Sequence, residues 1–407
     1  MYMRKTQAFL LVASFLLCAE STHAVQLSDK IMLNGFGTIG ATKTSSDSLG
    51  YRSSLETDNA VYDDWNFASR SLVGVQGNFR FTPEWASTIQ LIQQHTEDAS
   101  FDNALQLAMI TYTPNADWAI QVGRFSPKVS MLTDNQNIGY GHLWTHSPVE
   151  SYGQFLVSTA DGAEVSYTQL IGDDTLKLVF TAAHAPSTYV TAQQSIDISG
   201  LLFGYTAEYS HADWLFRASV FSDKTRNAWV NQSLMNGLSQ VSAYWPEAAT
   251  LYDEMDVQGS HAYLYSLGVS YNTSDWQIQS EISQLTSNKQ AMLDCISGYL
   301  SVGRHIGDFT PYVMYSRVHT TRDSYQLQTD PGMFSSLATP ALGYLGTQYE
   351  QKTMALGLRW DINANLALKT QWERAFVDKK NNVLWWNNYT GKGQDVNIFT
   401  VNLDFTF

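Results

Sequence analysis

The last segment of the chain, Val396 to Phe407, alternates with a period of two. Phe399, Val401, Leu403, Phe405 and Phe407 fall on one face, and Thr400, Asn402, Asp404 and Thr406 on the other. A strand with that pattern must set one face against an apolar medium and the other against a polar one. The pattern recurs along the chain. Residues 276–283 set Trp276, Ile278 and Ile282 against Gln277, Gln279 and Glu281. Residues 354–362 set Met354, Leu356, Leu358, Trp360 and Ile362 against Gly357, Arg359 and Asp361, and residues 73–81 set Val73, Val75, Phe79 and Phe81 against Gln76, Asn78 and Arg80. Segments of about 9–11 residues or more cross a bilayer as tilted strands. Beyond residue 24 no run of about 18 apolar residues exists to form a helical span.

Turn residues fall between these segments at Thr82-Pro83-Glu84, Pro114 to Asp117, Gly172 to Asp174, His211-Ala212-Asp213, Thr273-Ser274-Asp275, Gly307-Asp308 and Asn363-Ala364-Asn365. Trp85, Trp118, Trp214, Trp276 and Phe309 follow such turns at once or nearly so. Large aromatics at one end of successive strands make a membrane-interface girdle, because an indole joins an apolar body to a polar N–H. Counting from Lys30 gives about sixteen strands, an even number with both ends on the periplasmic side. Their expected centres are near residues 35, 75, 90, 108, 121, 166, 180, 205, 218, 267, 280, 300, 314, 357, 371 and 401. The long connections, 43–69, 126–153, 224–258, 322–350 and 379–394, then all lie at the other, external end. The expected fold is all-β: a transmembrane antiparallel β-barrel with short periplasmic turns and long external loops. A soluble β-sandwich or propeller would also alternate, but with its apolar face inward and its connections unsorted by length.

Composition fits this reading. The chain has 407 residues, 44% hydrophobic and only 15% charged, with 22 Tyr, 19 Phe and 12 Trp, too aromatic for a disordered protein. Residues 1–24 read as a cleaved secretory leader, with Arg4 and Lys5 ahead of an apolar Phe9–Leu17 centre and a small-residue site at Thr22-His23-Ala24. Lipidation at Cys18 is disfavoured by the bulky Leu17 before it. Losing the leader leaves Cys295 as a single cysteine, so no internal disulfide forms. A formal net charge of −14 opposes nucleic acid as a partner.

One stretch does not alternate. Arg124 to Gly153, RFSPKVSMLTDNQNIGYGHLWTHSPVESYG, has neither strand nor helix periodicity and is punctuated by Pro127, Gly139, Gly141 and Pro148. Long irregular segments in compact domains are uncommon and tend to be functional.

The leader, the Gly-rich opening strand LNGFGTIG (33–40), the strand ladder and the terminal Phe407 together resemble the Gram-negative outer-membrane porin superfamily of sixteen-stranded trimeric barrels. The resemblance implies a bacterial outer-membrane location, a homotrimer, and a lipid and lipopolysaccharide environment. It also implies that the barrel-assembly machinery recognises Phe407. In that superfamily the third external loop folds into the lumen and narrows it. The strand count makes 126–153 that loop, although it lacks the acidic run of enterobacterial general porins.

The candidate constriction residues in or beside the loop are Arg124, Lys128, Asp134, Tyr140, His142, Trp144, Glu150 and Tyr152. Inward parity adds the bases Arg80, Lys177, Arg217, Arg359 and Lys369 and the acids Glu164, Glu208, Glu281, Asp361, Glu373 and Asp404. Bases on one wall facing loop acids would set up a transverse field; the alternative is that the charges pair and brace the wall. Arg124 shares parity with the lipid-facing Trp118, Ile120 and Val122, so a bulge or the strand end is expected to turn it inward. Tyr140, Trp144 and Tyr152 are either a stacking path for solutes or packing that anchors the loop. His142 and His146 have a metal-pair spacing, but Gly139, Gly141 and Pro148 oppose a helix and no third ligand is evident, so no metal or cofactor is expected. Acidic groups at Asp63-Asp64 and Asp253-Glu254-Asp256 are either solvated loop charge or sites of cation bridging to lipopolysaccharide.

The expected function is passive diffusion of ions and small hydrophilic solutes, without a reaction. A plugged structural or adhesive barrel is one alternative. A barrel hydrolase is another, against which stands the lack of a G-x-S-x-G nucleophile motif. The 25–30 segment is too short to form the plug domain of an active transporter.

Overall fold

The structure, a computed structural model, describes residues 25–94, 101–154, 157–190, 195–228, 231–378, 382–387 and 393–407. The expected leader, 1–24, lies outside the described residues. Sixteen strands form the wall: β1 (Ile31–Thr44), β2 (Leu72–Arg80), β3 (Trp85–Gln94), β4 (Leu105–Tyr112), β5 (Trp118–Phe125), β6 (Ala160–Ile171), β7 (Asp174–Val190) and β8 (Ser195–His211), followed by β9 (Trp214–Ala228), β10 (His261–Asn272), β11 (Trp276–Ser287), β12 (Cys295–Arg304), β13 (Phe309–Thr320), β14 (Gln351–Asn363), β15 (Leu366–Val377) and β16 (Gln394–Thr406). Each pairs antiparallel with the next, and β16 pairs with β1 from Ile398↔Thr44 to Thr406↔Phe36. The sheet is therefore a closed barrel without a free edge, as hydrocarbon demands of a strand-built span. Every expected strand centre falls inside one of these strands. A short leading strand, Val25–Ser28, folds back on β1.

The alternation is apolar-out. Val75, Val122, Phe203, Leu267, Ile282, Val313, Leu356 and Phe399 stand exposed on the outer face, while Thr42, Thr181, Thr206, Ser266, Ser301, Thr400 and Asn402 are buried on the inner one. A soluble sandwich would have these faces reversed. The short connections all sit at one end. There Trp85, Trp118 and Trp214 pack against Tyr112, Tyr167 and Tyr271 of the neighbouring strands, at ring-centroid distances of 4.5, 4.9 and 4.5 Å. Trp276 lies under the Arg304 guanidinium, and Phe309 stacks on Trp360. The tyrosine row behind the indoles was not singled out in the sequence.

The opening strand owes its glycines to the closing seam. A Cβ on Gly35 would stand 2.1 Å from the Phe407 ring, and one on Gly37 would stand 2.6 Å from the Phe405 ring. Both rings therefore lie flat over bare backbone. Phe407 N–H donates to Gly35 O at 2.8 Å, and Gly35 N–H to Phe407 O at 2.7 Å.

The long loops are more ordered than plain connections. Helices α1 (Gln232–Val241), α2 (Glu247–Met255) and α3 (Ser335–Leu345) share an apolar cluster built on Leu238, Leu251, Met255, Ala341 and Leu345. Asn231 caps α1 by accepting from Leu234 N–H at 3.1 Å, and Glu247 accepts from the N–H groups of Gln328 and Thr329. Gly50–Tyr51 pairs with Trp385–Trp386, joining the loops that follow β1 and precede β16. Three of the acidic loop groups are engaged within the protein: Asp63 with Lys43 at 3.2 Å, Asp253 with Lys289 at 3.0 Å, and Glu254 with Gln290 N–H at 2.8 Å.

Candidate channel and its inserted loop

Residues 126–154 leave β5 at the long-loop end and enter the barrel. An irregular segment placed there must satisfy its own backbone, and the wall supplies the partners. Thr206 and Ser219 donate to the carbonyls of Lys128 and Val129, each at 2.8 Å, and Arg217 donates to that of Ser130. Met131 N–H donates to Glu281 at 3.2 Å. Deeper, Lys369 donates to the carbonyls of Gly139 (2.6 Å) and Trp144 (3.1 Å), and Arg359 to those of Tyr140 (2.7 Å) and His142 (2.8 Å). Tyr140 Oη donates to Ala364 O at 2.9 Å, which puts this point of the loop at the short-turn end. Asn402 then binds Thr145 O at 2.6 Å, and His146 Nε2 meets Glu373 at 2.8 Å. Glu150 accepts from Ser316 at 2.6 Å, Gln351 at 2.5 Å and also Thr353. The segment is thus strapped along the inner wall from β8 to β16.

The inward charges that reach the loop are consumed by this strapping. Lys369 and Asp404 pair at 2.9 Å with both side chains fully buried, and Thr38 donates to Asp404 at 2.5 Å. Arg359 pairs with Asp361 at 2.7 Å. Arg217 pairs with Asp134 at 2.8 Å and Glu208 at 3.4 Å, and Lys128 pairs with the same Asp134. Burial would raise the Asp134 carboxyl, but Lys128 and then Arg217 outweigh it and hold it at about 2. Opposed rows of bases and loop acids across open water, the arrangement a transverse field needs, are not what forms. Acid and base meet directly, because the loop lies on the basic wall.

The loop aromatics anchor the segment, and Trp144 also borders the cavity beside it. Trp144 is buried, donates to Ser301 at 2.6 Å and meets Tyr299 edge-on. Tyr152 donates to Glu281 and meets Tyr299, and Tyr140 stacks beneath the Arg359 guanidinium at 4.9 Å. His142 accompanies Trp144 in a stacked pair, with Nε2 2.9 Å from Asn135 O. Burial, and then the Lys369 charge, lowers His142 from 6.5 to about 4, with Asp404 opposing. Neutral His142 therefore holds the loop fully above about pH 6.5, and that contribution is lost as pH falls towards 4. Current noise from loop fluctuation is expected to grow between pH 6 and 4 in the native chain and to stay flat in His142→Gln. An unchanged pH response in that variant would acquit His142. Among the described residues no group of three metal-ligating side chains comes together.

The remaining candidates are placed as follows. Glu164 accepts from Gln121 at 3.2 Å and Thr181 at 3.3 Å. Lys177 is half-buried opposite Glu208, away from the loop, and Arg80 is exposed at the short-turn end of β2. Arg124 is not re-aimed by a bulge, since β5 keeps its register with both neighbours. It follows Gly123, whose φ of +131° favours glycine, and holds Asp161 of β6 through two bonds of 2.8 and 3.0 Å. Between the inserted loop and the β1–β8 side lies a cavity of about 950 Å³. Its lining is mostly hydroxyl and amide, including Ser53, Ser71, Gln94, Gln136, Ser187 and Asn227, with Glu56, Arg70, Arg124 and Asp197 as scattered charges.

Comparison with known proteins draws a contrast between sequence and shape. No family model matches the chain, and no curated protein does. Solved structures do match along nearly its whole length. OmpF of Salmonella typhi, in complex with daunomycin, superposes with a TM-score of 0.56 at 11% identity, covering 95% of this chain and 100% of that one. The channel DcaP of Acinetobacter baumannii gives 0.54 at 11%, covering 94% and 99%. The anion-selective porin of Comamonas acidovorans gives 0.52 at 12%, covering 93% and 99%. The chain has the fold of the outer-membrane porins. Counted along the chain, the β5–β6 connection is the third at the long-loop end. The side chains that hold it include Asn402, Gln371 and Ser301, which sequence reading did not select. Inward parity was their one signal, and they share it with every other polar wall residue.

Proposed function

We propose that the chain is a homotrimeric porin of the bacterial outer membrane, a water-filled channel for passive diffusion of ions and small hydrophilic solutes, with 126–153 as its constriction and no enzymatic activity. The observation that carries this reading is the loop strapped to one side of the barrel, with a polar cavity left open on the other. Phe407, which closes the seam beside Gly35, is the residue we take as the assembly signal.

Selectivity follows from the pairing. Because Lys369, Arg359 and Arg217 are matched by Asp404, Asp361 and Asp134, the open side offers scattered charges of both signs among hydroxyls and amides. A pathway of that kind discriminates mainly by width. In a planar bilayer under a tenfold salt gradient, stepwise openings in groups of three are expected, with a reversal potential within about 15 mV of zero. A protein that inserts and stays silent would instead be a plugged barrel. A potential near the full Nernst value would show that one sign of charge governs the open side.

A further inference from the structure

The guanidinium and ammonium groups that reach the inserted loop or border the cavity are matched by acids, with one exception. Lys369, Arg359, Arg217 and Lys128 pair with Asp404, Asp361 and Asp134, and Arg124 pairs with Asp161. Arg70 borders the cavity, yet among the described residues it has no ion-pair partner. Its hydrogen bonds go to two neutral oxygens, Thr42 Oγ1 and Tyr51 Oη, each at the long distance of 3.4 Å. Glu373 lies within electrostatic reach of it but is already bonded to His146 at 2.8 Å.

The position of Arg70 gives that charge a use. It stands just ahead of β2 and its stem lies against β1, where a Cβ on Gly40 would be 2.7 Å from Arg70 Cβ. Gly40 faces Asn402 across the seam, and Asn402 holds the loop by donating to Thr145 O at 2.6 Å. Arg70 is therefore beside the tie between loop and wall. Thr145 borders the same cavity and is only 6% exposed, and its hydroxyl has no partner among the described residues. Gln136, Asn137 and Ser147 add amide and hydroxyl groups to the lining. The cavity volume, about 950 Å³, falls within the range of about 300–1,000 Å³ that holds a small ligand. Glu56 and Asp197 border it as well, so a single unmatched cation can hold an anion without making the whole pathway anion-selective.

We propose that Arg70 binds the carboxylate of a polyhydroxylated acid, a sugar acid, as that solute passes the inserted loop, with the Thr145 hydroxyl and the neighbouring amides taking its hydroxyls. A guanidinium presents a fork of donors that matches a carboxylate, and a buried hydroxyl without a partner gains the bond it lacks. An inorganic anion would satisfy Arg70 alone, and a neutral sugar the lining alone. The proposal rests on the channel reading and names a class of solute for it.

The test uses the full barrel in detergent micelles, with binding of D-gluconate measured by isothermal titration calorimetry and acetate and D-glucose as comparison solutes. Native protein is expected to bind gluconate roughly tenfold or more tightly than either. Arg70→Ala should lose that preference and Arg70→Lys should keep part of it, both with the heat-modifiable migration of a folded barrel. Thr145→Val should narrow the gap between gluconate and acetate. Equal binding of the three solutes by the native barrel, or undiminished gluconate binding by Arg70→Ala, would overturn the proposal. Planar-bilayer recording separates this from the channel reading. Gluconate binding by a barrel that stays silent would support the site and refute the channel, whereas conductance without gluconate binding would keep the channel and refute the site.

Discussion

Deleting Asn135–Trp144 is expected to raise single-channel conductance about twofold or more, because the deepest part of the inserted loop leaves the lumen. These residues carry the carbonyls that Lys369 and Arg359 hold, the Tyr140 contact at the short-turn end, and Trp144 in its pocket against Ser301 and Tyr299. The wall itself does not need them, since every barrel strand keeps its ladder to both neighbours. The variant should therefore still migrate as a folded, heat-modifiable barrel, and conductance can be read from it directly. Native conductance in that folded variant would mean that the narrowest point lies elsewhere.

The second large effect concerns stability. Lys369→Met removes a buried cation that holds Asp404 and two loop carbonyls at once. Breaking a buried pair by deleting one partner costs about 3–5 kcal/mol, mostly because the other charge is left unmatched. The barrel is expected to unfold at a clearly lower temperature, with noisier current at full opening. Lys369→Met/Asp404→Asn should recover most of the thermal loss, since a neutral Asn leaves no buried charge. It should not recover the quiet current, because the carbonyls of Gly139 and Trp144 still lack their donor. If the double variant recovers both, Lys369 acts on Asp404 alone and the strapping role is wrong.

The barrel was legible in the sequence because lipid and water impose opposite demands on alternate residues of every wall strand. Phe399, Val401 and Leu403 have no other arrangement open to them beside Thr400, Asn402 and Asp404. The short turns and their aromatics were legible for a similar reason: they sit at fixed points of a repeating geometry. The loop region was legible only as an exception to the pattern. Its route over the wall depends on contacts such as Arg359 with Tyr140 O and Glu150 with Ser316, between residues more than a hundred positions apart. No local periodicity encodes those. Helices α1–α3 were missed because their apolar residues gain a partner only when two separate loops meet. Arg124 shows the same limit. It was expected to turn inward and does line the cavity beside the loop, but its Asp161 partner belongs to the next strand and could not be fixed without register.

The seam between β1 and β16 has a consequence for biogenesis. Thr38 and Asp404, bonded to each other, lie 366 residues apart in the chain. The first strand therefore waits, with one ladder unmade, until β16 has been delivered. Contacts that distant are slow to form by unaided search, and until they form the sheet keeps two adhesive margins. Phe407, bonded to Gly35 and lying over it, completes the seam. A truncation of even a few residues there would strand a nearly complete wall as an open ribbon, whereas a cut within α1 or α3 would leave the ring intact.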